Sequence, residues 1–225
     1  MKHDTMTDAL RPERDALIEA MVGHVPFDGW TMACARTAAP AAGVTPEDVE
    51  RLFSGGPIEM VEHYGDLADR RMLVELAQRD LPGMRIRDRI TTAIRVRLQQ
   101  HEADREAVRR AVALTAMPLY AATAARMLYR TVDAIWRVAG DTSTDFNFYT
   151  KRATLAWVYS ATLLHWLDDE SQGQEESWAF LERRIEDTML IPKLRGRLQK
   201  AMQAVPNPMR AARAFRRGAA QFRGR

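Results

Sequence analysis

The stretch Thr31-Met32-Ala33-Cys34-Ala35-Arg36-Thr37-Ala38-Ala39-Pro40-Ala41-Ala42-Gly43-Val44-Thr45-Pro46-Glu47-Asp48-Val49-Glu50-Arg51-Leu52-Phe53 decides how this chain is built. Its first part, with Trp30 before it, is alanine-rich and reads as a short helix to Ala38, and Gly43 closes that unit. Thr45 can cap a new start, Pro46 takes the first helical position, and Asp48 at the third suits the orphan amides and the positive helix end. A second short helix is therefore predicted over Pro46 to Phe53. With a helix from about Arg14 to Gly23 and a turn at Pro26 to Gly29 ahead of it, the arrangement has the proportions of a helix-turn-helix.

Outward from there, almost every segment keeps a helical period, and alternating strand patterns and hairpin turns are missing. Gly55, Gly56 and Pro57 open a longer helix through about Gln78, which Leu81-Pro82-Gly83 ends. Ile86, Ile90, Ala93, Ile94 and Leu98 form one apolar stripe, with Arg85, Arg89, Arg95 and Gln99 left to water. Another helix runs through Arg109 to Thr115. After Pro118, the charges Arg126, Arg130, Asp133 and Arg137 share a face predicted to meet solvent or an interface, opposite Leu128, Thr131, Ile135 and Val138. Gly140 stops that helix, and Thr142 with Asp145 resembles a capping box for the next, which continues to about Leu167. Asp168 to Glu176 reads as an acidic loop. Trp178, Leu181, Ile185 and Met189 then mark an amphipathic helix toward Ile191. The expectation is an all-α bundle of about nine or ten helices around one core, with no fixed repeat.

Composition narrows the function classes. Among 225 residues with a formal charge of +3 there is a single cysteine, Cys34, which excludes a disulfide framework and reads as a small buried apolar residue. His24, His63, His101 and His165 stand apart, and none follows a Glu by the three residues that a helix-borne di-iron site requires. A G-x-S-x-G elbow, a glycine-rich phosphate loop and an H-E-x-x-H helix are all missing. No metal, no cofactor and no enzymatic activity are expected. Met1 to Asp15 shows neither a signal-peptide nor a transit-peptide pattern. Ala111 to Ala125 and Ala153 to Leu167 are uncharged but shorter than the roughly 20 residues of a membrane span. Such helices are normally buried among others or line an apolar cavity.

The helix-turn-helix-like unit resembles the N-terminal part of TetR-type regulators. A DNA reader, however, needs Lys or Arg for phosphates and donors for base edges. Here the second short helix carries Glu47, Asp48 and Glu50 against Arg51, and the helix after it adds Glu59, Glu62, Asp66 and Asp69. Nucleic acid is not an expected partner.

The most specific stretch is Gly140-Asp141-Thr142-Ser143-Thr144-Asp145-Phe146-Asn147-Phe148-Tyr149-Thr150-Lys151-Arg152, followed by an uncharged helix and Trp178-Ala179-Phe180-Leu181-Glu182-Arg183-Arg184-Ile185. It resembles the signature of the lipid-binding accessory proteins of ubiquinone biosynthesis, the Coq family members with a TetR-like fold. Weaker resemblance extends from about Arg14 to about Arg195. It implies a homodimer that holds isoprenoid or other lipid in a helical pocket and presents quinone intermediates to a ring hydroxylase of the pathway. It also implies that Asp145, Phe148, Tyr149 and Arg152 form a surface patch meeting that hydroxylase, with Phe148 standing where the family commonly has Trp. Residue chemistry leaves two readings of the aromatic pair: an interface anchor beside Arg152, or local cover for a helix end.

Met117, Leu119, Met127, Leu128, Leu155, Trp157, Tyr159, Leu163 and Trp166 are the candidate lipid-lining residues; the same positions also suit an ordinary packed core. Near the end, Met209, Phe215 and Phe222 share an apolar face ringed by Arg210, Arg213 and Arg217, as a membrane-surface helix or a disordered basic tail would. The expected organisation is a flexible stretch over 1–13, the helix-turn-helix-like part over 14–80, a lipid-binding and dimerising part over 81–195, and the basic tail over 196–225. The expected location is cytoplasmic, at the periphery of the inner membrane, as the mitochondrial address of eukaryotic family members parallels. The competing reading is a TetR-type ligand-responsive transcription regulator.

Overall fold

The computed structural model describes residues 10–141 and 146–188, apart from the side chains of residues 146 and 147. The capping pair Thr142 and Asp145, the helix end at Met189 to Ile191, and the basic tail from Met209 to Phe222 lie outside the described residues. The chain divides into two compact units, Met1–Glu182 and Arg183–Arg225.

The helices are α1 (Arg11–Val22), α2 (Val25–Asp28), α3 (Met32–Ala38), α4 (Val49–Leu52), α5 (Pro57–Ala77), α6 (Ile86–Gln99), α7 (Arg105–Thr115), α8 (Ala121–Val138), α9 (Phe146–Asp168) and α10 (175–188, within which the first unit ends). No strand occurs among the described residues. A 3-10 turn follows α3 at Ala39–Ala42, and others precede α4, α8 and α10. Sequence order placed the elements well, with three differences. Pro26 to Gly29 is largely a short helix rather than a plain turn. The helix before Pro118 begins at Arg105. The Thr45 hydroxyl donates to the Asp48 carboxylate at 2.7 Å and caps no amide, so the second short helix is a 3-10 turn leading into α4.

Apolar faces meet at the centre: Leu17, Ile18 and Met21 of α1, Met60, Met72 and Leu76 of α5, Ile94 and Leu98 of α6, Ile135 of α8 and Trp166 of α9 have almost no exposure. Cys34 is buried among them on α3, and burial raises its thiol pKa to about 11, so it is an inert packed residue.

The polar face of α8, expected to meet solvent or an interface, meets solvent only in part. Arg126 and Arg137 are exposed, but Asp133 is buried against Arg152 of α9. Arg130 reaches Asp69 on α5, where the Thr131 hydroxyl also donates. Helical spacing put these charges on one face; their opposite signs let α5 and α9 bury half of it as ion pairs.

α8 ends at Gly140, whose φ of +89° is in the left-handed region. The amide of Asp141 bonds back to Trp136, and that of Gly140 to Arg137, the paired closure that favours glycine at this position. A Cβ there would stand 3.1 Å from an Arg89 guanidinium nitrogen. After α9, Asp169 is buried rather than sitting in an open loop, and it accepts bonds from both the amides and the hydroxyls of Ser171 and Ser177. Burial pushes its carboxyl up, but those four donors outweigh it and hold the group well below the usual carboxylate range.

Candidate functional site

A cavity of about 320 Å3 lies among α5, α6, α7, α8 and α9, at the small end of the range for small-molecule sites, roughly 300–1,000 Å3. Much of its apolar wall comes from the uncharged runs, through Ala111, Val112 and Thr115 of α7 with Ala116 just past its end, Ala124 of α8, and Ser160, Leu163 and Leu164 of α9, and Met127 and Leu128 of α8 adjoin them. Ala116 and Leu164 are exposed, so the cavity opens to the surface beside them. Gly65 of α5 also faces it: a Cβ there would meet the Met127 methyl at 3.1 Å, so the missing side chain leaves room for the cavity.

The opposite end is polar. Arg97 of α6 is buried and donates to three acceptors: the Asp69 carboxylate at 2.8 Å, the Gly65 carbonyl at 3.3 Å and His101 Nε2 at 2.7 Å. His101 Nδ1 lies 2.7 Å from the Tyr64 hydroxyl. Burial, then the neighbouring Arg97 and Arg71, push the His101 pKa well below its usual value, so the ring is neutral. Burial pushes the Tyr64 and Tyr159 phenols up, keeping both protonated. The charges of Arg97 and Arg130 are matched by Asp69 and Asp66. Behind Tyr64 and His101 lies a second chamber of about 230 Å3 that Glu19, Arg71 and Asp104 make polar.

Of the residues singled out in sequence, Met127, Leu128, Tyr159 and Leu163 come together on the cavity wall. Leu155 and Trp166 are buried in the core and are not among the residues lining the cavity. Met117, Leu119 and Trp157 stand on the surface, Leu119 with 82% exposure. The helical period gave all nine an apolar neighbourhood, but α7 and the segment Pro118–Val138 meet at 89°, and that corner throws Met117 and Leu119 outward. Apart from Tyr159, the polar end was missed. Arg97 and Tyr64 carry no motif, and the carboxylate that neutralises the guanidinium, Asp69, lies on another helix, so a single helical period could not reveal them.

The patch around the start of α9 divides in the same way. Tyr149 is 68% exposed and its ring packs edge-on against Phe148. Arg152, expected on the surface, is 5% exposed. It pairs with Asp133 at 2.7 Å and Asp141 at 3.1 Å and lies over the Phe148 ring at 3.4 Å. Asp145 lies outside the described residues.

In the helix-turn-helix-like unit the bases are engaged: Arg36 with Glu50, and Arg51 with Asp48 and Glu13. No single helix among the described residues is long and apolar enough to cross a membrane.

An all-helical protein of TetR-like fold with a ligand-sized, apolar-walled cavity is what the fold and this site define. The fold is shared with the crystal structure of a TetR transcriptional regulator from Nitrosomonas europaea, at a TM-score of 0.64 and 22% identity, covering 78% of this chain and 97% of that one. Residues 121–192 match the COQ9 family model. The chain is 31% identical over 188 residues to the ubiquinone biosynthesis protein COQ9, mitochondrial, of Drosophila melanogaster, covering 82% of this chain and 56% of that protein. With its human counterpart it shares 30% over 184 residues, covering 77% of this chain and 56% of that protein. The chain is thus similar to the COQ9 family, and it spans a little over half the length of these relatives.

Proposed function

We propose that this chain is a non-catalytic accessory protein of ubiquinone biosynthesis that binds an isoprenoid quinone intermediate or another lipid and presents it to a quinone-ring hydroxylase. The observation that carries this reading is the cavity itself, walled by uncharged stretches of α7, α8 and α9 and open beside Ala116 and Leu164. The names of the relatives supply the pathway. The exposed Tyr149 is the candidate contact for the hydroxylase, with Phe148 and Asp145 beside it in sequence, while Arg152 supports the patch from beneath. A homodimer and a peripheral attachment to the membrane through Met209 to Phe222 complete the proposal, as does a location at the face of the membrane that holds the pathway.

The acidic short helices and their engaged arginines support a protein without a nucleic-acid partner, since a duplex binds through free cations. Lipid extraction from purified protein, read by mass spectrometry, tests the reading. Co-purifying isoprenoid lipid that disappears in a Leu163→Arg variant of unchanged circular dichroism is the expected result; only buffer-level lipid in the unmodified chain would overturn it.

A further inference from the structure

Two tyrosine hydroxyls at the polar end of the cavity have protons to donate. The first follows from the direction of a hydrogen-bond chain. A guanidinium can only donate, so Arg97 fixes His101 Nε2 as an acceptor at 2.7 Å. The neutral ring then carries its proton on Nδ1 and donates it to the Tyr64 oxygen at 2.7 Å. Tyr64 is left with its own O–H, and no acceptor among the described residues, including those of the polar chamber behind it, is within hydrogen-bond distance. The second is Tyr159, which lines the cavity with 7% exposure. Its hydroxyl has no hydrogen-bond partner among the described residues. Both phenols lie close enough to buried Arg97 to share its field.

We propose that Tyr64 and Tyr159 form a paired donor site for the head of the bound lipid, and that this head is a neutral oxygen acceptor such as a quinone or aryl carbonyl. An anionic head is disfavoured because Arg97 and Arg130 are already matched by Asp69 and Asp66, and a carboxylate or phosphate entering this buried end would bring charge with no free partner. A buried donor without an acceptor is costly, so a carbonyl that engages both gains affinity a hydrocarbon cannot. The guest therefore enters head first, with its tail toward the opening at Ala116 and Leu164. This assignment rests on the lipid-binding reading of the same cavity.

The test uses three probes on the intact chain: a 1,4-benzoquinone with a two-isoprene tail, a hydrocarbon carrying the same tail, and a fatty acid of equal length. Tyr64→Phe and Tyr159→Phe should each weaken quinone binding by roughly three- to tenfold, the range expected for one hydrogen bond, and leave the hydrocarbon unchanged. Quinone affinity that survives the double substitution would overturn the donor pair while the lipid cavity stands, and a preference for the fatty acid would overturn the neutral head. Failure of every probe to bind the unmodified chain would remove the lipid reading as well. Independently of any ligand, 15N spectra should show His101 protonated on Nδ1 with Nε2 as acceptor; a proton on Nε2 would remove Tyr64 from the proposal.

Discussion

Arg152 shows how a single residue can be placed correctly in sequence and wrongly in space. Its position beside two aromatics at a helix start suggested an exposed contact, yet the carboxylates of Asp133 and Asp141 draw it inward. No periodic pattern pairs residues from two helices and the turn between them. Removing it would take the most buried partner from two carboxylates of low exposure, leaving Asp133 to the exposed Arg137 and Asp141 to Lys151. Arg152→Ala should destabilise the protein by about 1.5–3 kcal/mol through its lost charge-assisted hydrogen bonds, read from urea or thermal melts, whereas Tyr149→Ala should leave the melt unchanged. The histidines make a second prediction. Burial lowers the His63 pKa despite the opposing Asp15 carboxylate, and lowers that of His101 further. An unfolded histidine titrates near ~6.5, so below that value the unfolded chain binds more protons than the folded one. Stability should be intact above pH ~6.5 and fall as the pH drops through the folded values, by up to roughly 1.4 kcal/mol per unit for each histidine. Thermal melts between pH 7.5 and 5 check this, and a His63→Gln, His101→Gln double variant should show a flatter profile.

At the level of elements, the helices were legible because capping residues, proline starts and glycine stops act locally. Gly140 and Pro57 marked real boundaries. Which face of each helix is buried was legible only where that face is apolar. On α8 the buried charges broke the rule, and around Pro118 the change of direction between α7 and α8 turned two of the expected wall residues outward. The cavity depends on a detail of α5: a mid-helix glycine, which ordinarily weakens a helix by roughly 0.5–1 kcal/mol relative to alanine, here keeps side-chain volume out of the cavity. Gly65→Leu should reduce co-purifying lipid several-fold, measured by extraction and mass spectrometry, while the helix content by circular dichroism stays the same.

For the molecule as a whole, fold class and family resemblance were legible in the sequence, because both are carried by contiguous stretches. The polar end of the cavity was not, since it is assembled from α5, α6, α8 and α9, whose contributing residues are far apart in the chain. On the proposed lipid-binding reading, cavity size has a consequence for the cargo. About 320 Å3 accommodates a ring and its first isoprene units, so any longer polyprenyl guest must leave a wick of hydrocarbon trailing over Ala116, Met117 and Leu119. Binding strength should therefore rise with the first two or three isoprenes and then level off, as titration with a homologous series would record. A carrier that cannot swallow its passenger whole keeps one end of it available to whatever greasy phase lies alongside, and delivery becomes a slide rather than a leap through water.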